Sequence, residues 1–186
     1  MNLKNPPKYG FVQVKPRRLP DYDYSNDGTY ALCICAEDRH REHFLDLPGL
    51  KEILIQEWEK LPRRYNNAFI DIIVIMPDHL HCILVLDSTS SKKCASVSNI
   101  VCSYKSSVTR RWRNLLAANK NEDKTLKEVW QMNFYEHIIR HEKDLEVQRE
   151  YMRNNPIKAQ IGPVQNHVYN DPQCPYDSCG HIPFPK

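Results

Sequence analysis

Two short stretches carry residue types that could do chemistry together. The first is Met76-Pro77-Asp78-His79-Leu80-His81. Side chains alternate along a strand, so His79 and His81 project from one face about 7 Å apart, close enough to clamp one metal ion. The second is Tyr151-Met152-Arg153-Asn154-Asn155-Pro156. On a helix Tyr151 and Asn155 share a face, with Val147 one turn earlier. A bare His-x-His is usually two half-buried histidines, and a lone tyrosine near a helix end is usually a packing aromatic. The combination lifts the chemical reading: a histidine pair on a central strand together with a tyrosine that has an amide ligand one turn away. A histidine-triad hydrolase would need a third histidine where this chain has Ile83, and is set aside.

The elements that must position these residues follow from periodicity. Tyr30 to Ala36 reads as a short apolar strand. Leu50, Ile53, Leu54, Trp58 and Leu61 recur at helical spacing, with Pro62 stopping the helix. Ala68 to Met76 and His79 to Leu86 form a hairpin of two central strands, apolar on both faces. Asp87 to Ser98 is a polar surface loop. Val97, Val101, Tyr104, Val108, Trp112 and Leu115 trace a second helix. Val129 to Ile139 reads as a strand, and a third helix runs from Glu142 to Asn154, ended by Pro156. This order predicts an α+β, ferredoxin-like βαββαβ fold. Its antiparallel sheet has two helices on one face, and an extra C-terminal helix carries Tyr151.

Bulk composition narrows the class without deciding it. The 186 residues suit a single domain, with a core over about 17–160 and proline-punctuated arms at both ends. A net charge of +3 permits a polyanionic partner but does not demand one. The sequence shows no signal-peptide pattern and no apolar run long enough for a bilayer, so a cytoplasmic protein is expected. There the seven cysteines are thiols. Cys33 and Cys35 read as small core residues, and Cys174, Cys179 and His181 as loose tail residues rather than a zinc cluster.

Five ordered blocks resemble the REP-associated tyrosine transposases, within the HUH (His-hydrophobe-His) single-tyrosine superfamily. They are Arg17-Arg18-Leu19 with Tyr24 and Gly28-Thr29-Tyr30; Ile75 to His81; Tyr104 to Arg110; Val129 to Arg140; and Tyr151 to Lys158. Asp78 departs from the asparagine usual in the family, and the tail beyond Pro163 matches nothing. The resemblance implies His79 and His81 as metal ligands, Tyr151 as nucleophile and Asn155 as a helix-borne third ligand. The ion would be Mg or Mn, and the product a 5′-phosphotyrosine.

A phenol with a pKa of about 10 is a weak nucleophile at neutral pH, so the phosphate must be polarised instead. The family's partner is single-stranded and hairpin DNA, with no membrane role, and its members act as a monomer or homodimer. That raises Lys15, Arg17, Arg18, Lys105, Arg110, Arg111 and Arg113 as phosphate contacts. Asp78, Gln131 and His137 are candidates for supporting residues around the site, with core or sheet-edge roles equally open for Gln131 and His137. The rival readings are a catalytically silent nucleic-acid-binding module and a non-mobile nicking enzyme. The aromatic-rich strands of RNA-recognition domains are missing.

Overall fold

The computed structural model describes residues 22–37, 47, 49–89, 94–120, 127–158 and 167–168, with 156–158 and 167–168 by backbone alone. In chain order the elements are β1 (Gly28–Cys35), α1 (Leu50–Glu59), α2 (Leu61–Arg64), β2 (Ala68–Ile75), β3 (His79–Leu86), α3 (Val97–Ala118), β4 (Tyr135–Ile139), α4 (Glu142–Lys158) and β5 (His167–Val168). The sheet order is β4-β1-β3-β2-β5, and every neighbouring pair is antiparallel. This is the ferredoxin-like sheet expected from the order of elements, with the extra helix after β4. No helix among the described residues is long and apolar enough to cross a membrane.

Alternation along the strands sorts the apolar residues into two layers. Leu32 and Ile34 of β1, Ile70, Ile73 and Ile75 of β2, and Leu80, Cys82 and Leu84 of β3 pack with α1 and α3 in the main core. Trp58 of α1 meets Tyr104 of α3 edge-on at 5.4 Å, and the Tyr104 hydroxyl donates to the Leu54 carbonyl at 3.1 Å. The opposite face is covered by α4, whose Leu145 and Met152 pack on Ala31, Ile72, Val74 and Ile83. A one-residue register shift between Ile70 and Ile73 in β2 is a β-bulge. It turns both Asp71 and Ile72 toward α4. Ile72 joins the second cluster, and Asp71 accepts from Arg149 Nε at 2.7 Å. That ion pair and the Leu145–Met152 contacts set how α4 lies across the sheet.

Several sequence expectations need correction. The strand expected over Val129–Ile139 is ordered as a ladder only from Tyr135; before it, a single Ala36–Trp130 bridge forms. Over this stretch the Lys105 ammonium of α3 donates to the carbonyls of Gln131, Met132 and Asn133 at 2.5, 3.0 and 3.3 Å. Pro156 does not end α4, which continues to Lys158, because proline's fixed φ is itself helical and only one late hydrogen bond is lost. Pro62 lies inside the first turn of α2, where its missing N–H is harmless. The C-terminal arm, expected to be extended, contributes the short edge strand β5 beside β2.

One buried charge braces the helical layer. Glu57, its side chain 2% exposed, accepts from Lys60 at 2.7 Å, Arg64 at 2.5 Å and Arg111 at 2.9 Å, so α1, α2 and α3 meet on one carboxylate. Burial alone would raise its pKa, but the three cations outweigh it and hold it at about 2. A pKa below the unfolded value means this stabilisation is complete above about pH 4.5 and is lost as pH falls toward 2. Glu57→Gln should therefore cost about 3 kcal/mol at pH 7, and the gap to the wild type should shrink steadily below pH 4.5. Urea midpoints of both proteins across pH 2–7 measure this; a gap constant with pH would contradict it.

Candidate active site

The site forms where β3 crosses under α4. His79 and His81 have the same strand parity, and both are only 4% exposed. Their Nε2 atoms converge at 3.1 Å, with the rings nearly perpendicular at 86°. Asp78 Oδ1 lies 2.5 Å from His79 Nδ1. In the tautomer that gives Asp78 this Nδ1 hydrogen, His79 Nε2 is left as a lone pair aimed at its neighbour. The His81 ring also bonds the Leu32 backbone. Burial first, and then the adjacent His79, hold the His81 pKa down at about 3, so this imidazole is neutral at ordinary pH.

Two buried imidazoles anchored on the far side by a carboxylate and a backbone group, with near sides converging, form a donor set that fits a divalent cation. Asp78, read from sequence as a mild departure, is thus hydrogen-bonded to one of the two histidines.

Tyr151 comes to this pair from α4. Its ring lies edge-on to His81, centroid to centroid 5.6 Å, and the residue is 41% exposed. Tyr151 and His81 line a cleft of about 180 Å³ together with Cys33, Tyr135, His137 and Gln148. Asn155 lies half-buried, one turn beyond Tyr151 on α4. His137 of β4 opens onto the cleft and is held by Asp144, with Nε2 2.9 and 3.1 Å from its two oxygens. Burial would raise the Asp144 pKa, but this hydrogen bond and the His137 charge bring it below its usual value. Gln131 lies outside the cleft: its carbonyl accepts from Lys105 and its N–H donates to Cys35.

Sequence reading missed one member. Cys33 Sγ and the two histidine nitrogens all lie within 4.8 Å of one another. Cys33 is buried, as expected of a core residue, but the β1–β3 register pairs it with His81 and pairs Cys35 with His79. The signal was available: two cysteines and two histidines each alternate on strands that pair.

The basic residues separate by what already holds them. Arg111 is committed to Glu57 and Gln56, and the three donors of Lys105 are met by backbone carbonyls. Arg110 and Arg113 are exposed and line an open cleft of about 430 Å³ beside Trp130 and Asn114, with Arg113 Nε donating to Lys127 O at 2.9 Å. Lys15, Arg17, Arg18, Cys174, Cys179 and His181 lie outside the described residues.

Comparison with known proteins decides the family. Residues 27–155, which include strands β1 to β4, both histidines and Tyr151, match the family model described as "Transposase IS200 like". The chain belongs to the IS200-like transposase family. It is 32% identical over 163 residues to an uncharacterised protein of Haemophilus influenzae, covering 75% of this chain and 86% of that one. It is 29% identical over 85 residues to a REP-associated tyrosine transposase of Escherichia coli, covering 46% and 42% of the two chains. A solved REP-associated tyrosine transposase bound to a REP hairpin superimposes with a TM-score of 0.56 at 26% identity, covering 81% of this chain and 76% of that one. The HUH-type transposase fold is therefore shared, and the chain is a homologue of the REP-associated enzymes.

Proposed function

We propose that this transposase cuts and rejoins single-stranded, hairpin-bearing DNA through a 5′-phosphotyrosine at Tyr151, with a divalent ion, Mg or Mn, at His79 and His81. The supporting observation is the edge-on placement of Tyr151 5.6 Å from His81, beside two buried imidazole nitrogens that converge. Asn155, one turn beyond Tyr151, would complete the ligand set. A bound ion would withdraw charge from the scissile phosphate and orient it for in-line attack.

The rest of the step falls to the chain itself. Tyr151 Oη forms a bond to phosphorus and the P–O3′ bond breaks. The phenol proton passes to solvent, and the departing 3′ oxygen takes one up as a hydroxyl. The phosphoester is kept on the enzyme, so an incoming 3′-hydroxyl can reverse the step without ATP. Asp78 fixes the ring of His79, which keeps the ligand nitrogen aimed. Labelled single-stranded hairpin DNA incubated with the protein and Mn²⁺ should yield an adduct that survives denaturation. Salt-dependent binding without any adduct would leave a silent DNA-binding module instead.

DNA backbone contacts are proposed for Arg110 and Arg113 at the open cleft, together with Lys15, Arg17 and Arg18 of the N-terminal arm. For single strands the affinity should fall with salt at a log–log slope of roughly −0.7 per phosphate neutralised, so these five contacts give a slope of about −3.5. Arg110→Ala and Arg113→Ala should each flatten that slope by about 0.7. Arg111→Ala should leave the slope alone and lower stability, because its partner is Glu57. Fluorescence-anisotropy titrations over a salt series measure this, and a slope near zero for the intact protein would remove the whole DNA assignment.

A further inference from the structure

Cys33 takes no part in the chemistry above, yet it stands against the two histidines. Antiparallel pairing of β1 with β3 puts Cys33 opposite His81, with both side chains on the α4 side of the sheet. Its sulfur and the two imidazole nitrogens fall within a 4.8 Å cluster, and all three residues are buried. A tetrahedral zinc ion, with Zn–N of about 2.0–2.1 Å and Zn–S of about 2.3 Å, holds its ligand atoms roughly 3.3–3.6 Å apart. Closing the cluster to that size takes a shift of about 1 Å. The histidine nitrogens, at 3.1 Å, need only about 0.2 Å of opening to reach it.

We propose that Cys33 is a third protein ligand at the His79–His81 pair, forming a two-imidazole, one-thiolate centre for a borderline-soft ion such as zinc. The inference rests on the metal role given to the histidines above. As the sulfur–metal bond forms, the Cys33 thiol releases its proton to solvent. Hard ions have no use for the sulfur and would draw on oxygen donors such as the Asn155 amide and the DNA phosphate. The two ligand sets share the histidines, so zinc held by Cys33 competes with the ion that serves cleavage.

Cobalt(II) is the probe, because a thiolate bound to it gives a charge-transfer absorption in the near ultraviolet. The full-length protein should show this band on titration with Co²⁺, Cys35→Ser should keep it, and Cys33→Ser should lose it. In competition titrations, Cys33→Ser should weaken Zn²⁺ binding more than about 100-fold, beyond the usual effect of removing a merely supporting group. Mn²⁺ affinity should change much less.

A missing band in the wild type, a band that follows Cys35, or an equal loss of both metals would overturn the assignment. Adduct formation by the unmodified chain with Mn²⁺ is scored separately. An adduct without the band sinks only the role of Cys33, whereas a band without an adduct sinks the cleavage reading and leaves the metal centre standing.

Discussion

Tyr151→Phe is expected to abolish the DNA adduct while the protein still folds and binds hairpin DNA. Only one hydroxyl is removed, and the ring that packs edge-on against His81 is kept. The residue is 41% exposed, so the stability change should stay within about 0.5 kcal/mol. The loss of cleavage should be at least about 10⁴-fold, the scale on which enzymes lose rate when a covalent nucleophile is deleted. Denaturing gels with labelled single-stranded hairpin DNA read the adduct, and anisotropy reads binding. Tyr135 lines the same cleft. An adduct that persists in the phenylalanine variant would pass the role to that residue.

His79→Ala and His81→Ala should each eliminate cleavage, and chelation by EDTA should do the same to the unaltered protein. Either substitution removes one of two converging nitrogens and leaves a single buried imidazole to hold the ion. Adding Mn²⁺ back should restore the chelated wild type and neither variant. Asn155→Ala should lose less, because a neutral amide at the end of α4 is a ligand that water can replace. Far-ultraviolet circular dichroism separates lost chemistry from lost folding, since both histidines are buried in the sheet. Full cleavage in the presence of chelator would take the metal out of the mechanism.

How much of this was legible in the sequence depends on whether a feature is local. The shared face of His79 and His81 follows from strand parity alone, and the amphipathic spacing of α3 is plain from Val97 to Leu115. The ferredoxin-like fold class also follows from the order of elements, whereas the packing of α4 on the second face of the sheet does not. Features that require two distant segments were hidden. The bulge at Asp71–Ile72 exists only relative to β3, and it supplies the carboxylate that Arg149 of α4 meets 78 residues later. Lys105 reads as one more surface cation, yet it gathers three carbonyls from residues 131–133. Arg111 looks equally available for DNA until Glu57 is found buried beneath it. Cys33 is brought against His81 only once β1 is set in register with β3. In each case the residue type was visible and the partner was not.

The central claim is that Tyr151 becomes covalently joined to the 5′ side of a cut strand. Mass spectrometry of the protein after reaction with single-stranded hairpin DNA in Mn²⁺, followed by nuclease and protease digestion, tests it most directly. The account predicts a nucleotide attached through a 5′-phosphate to the tyrosine of the peptide containing Glu150, Tyr151 and Met152. Cleaved DNA with no modified peptide, or a nucleotide on any residue other than Tyr151, would contradict it.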